Sequence, residues 1–126
     1  MKIAALIARI LLGLIFVVFG SNGFLHFIPM PPMPPSPGTT FIGILISTHY
    51  VLVVSAIQLI GGALLLVNKF VPLGLTLLGP VIVNIFLFHA LMDPKGMPLA
   101  IVVVVLWAVE FWWHKKAFAG ILSSGA

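Results

Sequence analysis

Polar positions in this chain are few and gather between long apolar runs. The runs cover residues 3–28, 41–67, 70–92 and 98–118, and the first is broken by Arg9 and the Ser21-Asn22 pair, with His26 near its end. A membrane-spanning helix needs roughly 20 apolar residues, and each run reaches that length. Little more than Asn68 and Lys69 separates the second run from the third. One helix through both would be far longer than a bilayer requires, so the pattern predicts a tight hairpin. Pro72 suits the first turn of the third helix, where a missing N–H leaves nothing unpaired. Pro98 holds the same position in the fourth, whereas Pro80 lies inside the third and is expected to bend it. The run from residue 3 begins like a signal peptide, with Lys2 ahead of an apolar stretch. It lacks a small-residue cleavage site and exceeds the usual apolar length, so it is read as a retained span. The prediction is all-α: a four-transmembrane-helix bundle forming a single domain, residues 1–126.

Between the first two runs lies the one low-complexity segment, Pro29-Met30-Pro31-Pro32-Met33-Pro34-Pro35-Ser36-Pro37. It favours polyproline II, in which nine residues reach roughly 28 Å and every third residue shares an edge. Met30, Met33 and Ser36 would share one edge. The 29–38 loop is read as a stiff connector in the headgroup region; a lid or partner-docking strap over the bundle mouth is the functional alternative.

Composition narrows the class. Of 126 residues, 62% are hydrophobic and 6% charged, against about 25% charged in ordinary soluble domains. A soluble chain this short has too little interior for so much apolar surface. A cytosolic enzyme, a disordered region and a nucleic-acid module are excluded. The formal charge of +4 comes from residues near the ends of the runs, not from one patch. Four spans place Lys2, Arg9, Lys69, Lys115 and Lys116 on one side and Lys95, beside Asp93, on the other. The positive-inside rule then makes both termini cytoplasmic. With zero cysteines, disulfides and thiolate metal sites are ruled out. No HExxH, phosphate loop or GxSxG is present, and no catalytic residue is nominated.

The polar residues inside the runs are the candidate sites. Arg9 and Glu110 lie at comparable depth in the first and fourth helices. Lone charges there are costly, so a structural Arg9–Glu110 ion pair is expected. The alternative pairs Glu110 with His114 or Lys115 on its own helix. Trp107, Glu110 and His114 share a stripe flanked by Trp112 and Trp113. The tryptophans are read as an interfacial belt, with a quinone or headgroup pocket beside them as the alternative. Gln58 shares a stripe with Ser55 and Gly62, and the Gly61-Gly62 pair permits close helix approach. Asn84 follows Pro80 by one turn and is placed to bond a carbonyl there or to line a pocket with Gln58. Asn22 and His26 share a face at the end of the first helix. His26, His49, Gln58, Asn84 and His89 form the candidate polar cavity. At least two of His26, His49, Asn84 and His89 are expected to turn inward, because four polar groups facing lipid tails would be unsatisfied. No two histidines stand at i,i+4, so no metal site is assigned. A haem would need histidines assembled by packing.

Three segments carry a resemblance. They are Arg9-Ile10-Leu11-Leu12-Gly13-Leu14-Ile15-Phe16 followed by Gly20, then Gln58-Leu59-Ile60-Gly61-Gly62-Ala63-Leu64-Leu65-Leu66, then Pro80-Val81-Ile82-Val83-Asn84-Ile85-Phe86-Leu87-Phe88-His89. In this order, with four spans, the chain resembles the DoxX-like family of small bacterial integral membrane proteins. Many members have a lysine where this chain has Gly23 and a glutamate where it has Gln58. The resemblance implies a multi-pass protein of the bacterial cytoplasmic (inner) membrane, linked to quinone-dependent or redox complexes. The leading expectation is therefore an accessory or structural subunit of a membrane redox or respiratory assembly, with membrane lipids and other membrane subunits as partners and no nucleic acid. No cofactor is firmly implied. A quinone-, haem- or lipid-binding redox module is the second reading. A small transporter is the third, and it is weakened because four-span drug exporters carry their working glutamate in the first helix, whereas here Glu110 is near the end of the fourth.

Overall fold

The structure is a computed structural model that describes residues 1–28, 34–121 and 123–125. Met30, Met33 and most of the proline segment lie outside the described residues. Among the described residues five α-helices form: α1 (Lys2–Leu25), α2 (Pro37–Ser47), α3 (Tyr50–Leu66), α4 (Val71–Leu91) and α5 (Met97–Trp113). A 3₁₀ turn, Lys115–Phe118, follows α5. The fold is all-α, and α1, α4 and α5 with its leading turn are each long and apolar enough to cross a membrane.

The second apolar run is not one straight helix. It breaks at Thr48-His49 into α2 and α3, which meet at 88° and together qualify as a fourth, bent span. The side chains explain the break. Thr48 Oγ1 and Ser47 Oγ donate back to the Ile44 carbonyl at 2.7 and 3.2 Å, which competes with helix continuation. His49 then takes the left-handed conformation, φ 62°. At the start of α2, Ser36 Oγ accepts from Thr39 N at 3.2 Å, and Thr39 Oγ1 accepts from Ser36 N at 2.8 Å. This reciprocal capping box, with Pro37 in the first turn, fixes where α2 begins.

The hairpin after α3 forms as expected. Asn68 and Phe70 adopt left-handed φ values of 57° and 53°, and Pro72 lies in the first turn of α4. Helix α4 continues through Pro80 as one element. The α1 helix packs against α3 and α5, and α4 also packs against both. Leu12, Phe16, Leu65, Leu75, Leu78 and Val103 fill the space between them. The adjacent glycines of α3 serve opposite neighbours. A Cβ on Gly61 would lie 2.7 Å from Leu78 on α4, and one on Gly62 would lie 2.9 Å from the Gly13 carbonyl on α1.

Most of the remaining apolar surface faces outward. Large side chains such as Ile3, Leu25, Val53, Val83 and Ile121 are more than half exposed. The accessible surface is 8137 Å², against about 6,500 Å² for a compact soluble monomer of this mass. Apolar exposure on this scale belongs in lipid. The chain is a small multi-span membrane protein.

Candidate functional site

Among the described residues, clefts open at opposite ends of the helix packing. The first, about 300 Å³, lies between α1, α3, α4 and α5 toward the end that carries the α1–α2 connection. Its wall is mostly apolar: Phe16, Phe19, Val54, Ile85 and Val103 among others. Four polar residues converge on it: Asn22 from α1, Ser55 and Gln58 from α3, and His89 from α4. A largely apolar pocket with a few convergent polar groups is the usual form of a small-molecule site.

Local structure orients these groups. Asn22 Oδ1 accepts from Ile28 N at 2.8 Å, so the Asn22 amide nitrogen remains available to donate. His89 Nδ1 lies 3.0 Å from the Asp93 carbonyl. A carbonyl can only accept, so that bond places a proton on Nδ1, and in the neutral ring Nε2 is then the acceptor. The Asp93 carboxylate is a further 3.8 Å neighbour of Nδ1. The ring packs edge-on against Phe88, with centroids 5.1 Å apart, and it also covers Gly96, where a Cβ would overlap it. Ser55 is buried and meets α1 at Gly23, where a Cβ would collide with the hydroxyl. A lysine at position 23, common in the family resembled, would have no room in this packing. Among the described residues no protein group bonds the Gln58 amide. The pocket thus offers two amide donors, a hydroxyl and an imidazole acceptor.

The other expected cavity residues are elsewhere. His26 and His49 are exposed left-handed residues at helix ends, φ 53° and 62°. Asn84 is exposed on α4, and its Nδ2 donates to the Pro80 carbonyl at 2.8 Å. Of the four groups expected to turn inward, only His89 lines the pocket. The reason is local satisfaction: Asn84 bonds its own helix, and the two histidines sit at helix ends and not along an apolar face. Among the described residues, no three His, Cys, Asp or Glu side chains come together as a metal site.

The second cleft, about 580 Å³, lies where the start of α1, the α3–α4 turn and the end of α5 meet. Arg9 and Glu110 both line it, but they form no direct ion pair. Arg9 Nη1 instead donates to the Leu65 and Leu66 carbonyls at 2.5 and 3.3 Å. Glu110 Oε1 is 3.1 Å from His114 Nε2, the same-helix alternative. The last-turn carbonyls of α3, partly orphaned by the turn at Val67, compete for the guanidinium. Trp107 is not a surface belt residue. Its Nε1 donates to the Leu75 carbonyl on α4 at 3.0 Å, and its ring stacks on Phe111 at 5.1 Å. Trp112 and Trp113 are exposed, and Lys115 Nζ lies 3.8 Å above the Trp112 ring.

Compared with protein-family models, with curated proteins and with solved structures, the chain finds no match.

Proposed function

We propose that this membrane protein holds the polar head of a lipid-soluble amphiphile, of the quinone class, in the pocket between α1, α3, α4 and α5, and that it works as an accessory part of a larger membrane assembly. The observation that supports this is the convergence of Asn22, Ser55, Gln58 and His89 on an otherwise apolar cleft. A quinone ring carries two carbonyls. The Gln58 and Asn22 amides suit one of them, and the bare His89 Nε2 suits the hydroxyl that appears on reduction. The tail would leave between apolar walls. A haem fits less well, because one histidine lines the pocket and about 300 Å³ is the lower end of small-molecule sites. The residues ask for binding and positioning; electron transfer would fall to the partner subunits. Membership of the DoxX-like family is part of this reading and rests on the three sequence segments.

A short-chain quinone analogue should bind the purified chain in detergent. Gln58→Leu or Asn22→Leu should each weaken binding about tenfold, the worth of one good buried hydrogen bond. Asn84→Leu, outside the pocket, should leave binding unchanged. Unaltered binding in the Gln58→Leu/Asn22→Leu double variant would remove the proposal.

The same reading places both termini in the cytoplasm of a bacterium, with the chain in its inner membrane. The chain has no cysteine, so single cysteines report cleanly. Pro35→Cys and Gly120→Cys should react with a membrane-impermeant maleimide from opposite sides, with position 35 reacting from outside. Labelling of both from one side would refute the topology.

A further inference from the structure

The cleft at the α1 start and α5 end contains a buried group that the protein leaves incomplete. Glu110 is 1% exposed. Its Oε1 bonds His114, while Oε2 is buried with no hydrogen-bond partner among the described residues. Buried polar atoms are nearly always paired, and an orphan carboxylate oxygen calls for a donor. Arg9, which lines the same cleft, directs its Nη1 to the α3 carbonyls instead. A guanidinium has five donors, and among the described residues only its Nη1 is engaged, so further N–H groups of Arg9 can bind an acceptor. Lys2 adds a second cation where α1 begins, and Asn68 closes the cleft from the α3–α4 turn. Ile3, Leu6 and Trp113 make the neighbouring wall apolar.

The cleft therefore presents an acceptor and cations side by side, next to apolar surface at a helix-end level. A simple anion would satisfy Arg9 and Lys2 but meet the Glu110 carboxyl. A simple cation would satisfy Glu110 but meet Arg9 and Lys2. The complementary ligand carries both an N–H donor and a phosphate a few ångströms apart. We infer that this cleft binds an ethanolamine-phosphate group, the Glu110 carboxyl turning toward the cleft so that the ammonium donates to its Oε2, with the phosphate held by Arg9 and Lys2. The apolar wall favours the group as the headgroup of a membrane phospholipid. Choline lacks the N–H, so a choline headgroup leaves Oε2 unpaired. Glycerol headgroups bring a hydroxyl but no positive charge to the carboxylate. The inference does not depend on the pocket at the other end of the bundle.

The test uses the full chain, purified in mild detergent, delipidated, and titrated with phosphatidylethanolamine, phosphatidylcholine, phosphatidylglycerol or soluble O-phosphoethanolamine. Thermal stability and native mass spectrometry provide the readouts. The ethanolamine lipid should bind about tenfold tighter than the choline lipid, the worth of one charge-assisted bond, and tighter than the glycerol lipid. Glu110→Gln should abolish the preference over choline. Lys2→Gln, at an exposed position that the fold does not need, should weaken the ethanolamine and glycerol lipids alike. Should Glu110→Gln fail to fold, the wild-type lipid ranking and Lys2→Gln still decide the matter. If O-phosphoethanolamine alone matches the lipid, the recognition chemistry holds and the source is soluble. Equal binding of ethanolamine and choline lipids would overturn the inference, as would a wild-type preference retained in Glu110→Gln. Stronger binding of the glycerol lipid would do the same.

Discussion

Alanine at Gly20 or Gly62 should weaken the fold, although alanine is the better helix former. A Cβ on Gly20 would lie 2.7 Å from Leu59 N and 2.8 Å from the Ser55 carbonyl; one on Gly62 would lie 2.9 Å from both the Gly13 carbonyl and Val17 N. These neighbours are backbone atoms and cannot rotate aside. The two helices must separate, and the Leu12–Phe16–Leu65 packing beneath them must loosen. Overpacking of this kind costs about 1–3 kcal/mol, while the exchange returns up to about 1 kcal/mol of helix propensity. Two controls isolate the packing term. At Gly79 the nearest atom to a Cβ is Trp107 Cζ2 at 3.7 Å, an ordinary contact, and around Gly43 nothing lies within 4 Å. In a reversible denaturation series in mixed micelles, Gly20→Ala and Gly62→Ala should lose stability, whereas Gly79→Ala and Gly43→Ala should hold or gain it. Stabilisation of Gly62→Ala to the level of Gly43→Ala would show that α1 and α3 do not approach this closely.

What the sequence revealed and what it hid have separate physical causes. Run length and hydropathy report on transfer of a whole segment into lipid, so they located α1, α4, α5 and the Asn68-Lys69 hairpin to within a few residues. They are blind to a break inside an apolar run. The 88° elbow between α2 and α3 comes from Ser47 and Thr48 hydroxyls turning onto the Ile44 carbonyl. The sequence signal was present in the Ser47-Thr48-His49 triplet but is weak beside the flanking isoleucines and valines. The pocket was half legible. Gln58 stood out as an amide in an apolar helix with Ser55 on its stripe, whereas Asn22 shares its face with His26, and neither Ser55 nor Asn22 was among the expected cavity residues although both line it. Asn84 stood out equally and does not line the pocket, because an amide one turn after a proline has a carbonyl within reach on its own helix. Depth matching put Arg9 and Glu110 at the same level, and both line the second cleft. It carried no information about the backbone of α3, and that backbone takes the guanidinium.

Loss of that guanidinium should be among the most damaging single changes in the chain. Arg9 Nη1 donates to the carbonyls of Leu65 and Leu66, the last two residues of α3, across the α1–α3 contact. Helix C-terminal carbonyls carry partial negative charge and lack intrahelical donors. The Leu65 carbonyl already accepts from Asn68 N at 3.2 Å, so the guanidinium adds a second donor there, supplies one to Leu66, and pins α1 to the end of α3. Hydrogen bonds to a charged group contribute about 1.5–3 kcal/mol each, and Arg9→Leu should cost at least that much in the mixed-micelle assay. Arg9→Lys keeps the charge but offers a compact ammonium in place of a planar fork, so its loss should be intermediate. Arg9 also supplies positive charge to the cleft that holds the buried Glu110 carboxyl. Removing Arg9 alone takes a strong cation from the cleft beside that carboxyl, although the two groups make no direct ion pair, and a buried carboxyl deprived of nearby positive charge is costly. The double variant Arg9→Leu/Glu110→Leu should therefore be less destabilised than the sum of the two single variants, by about 0.5–3 kcal/mol for residues sharing one network. Strict additivity would mean that Arg9 acts on the α3 carbonyls alone and that Glu110 does not sense it.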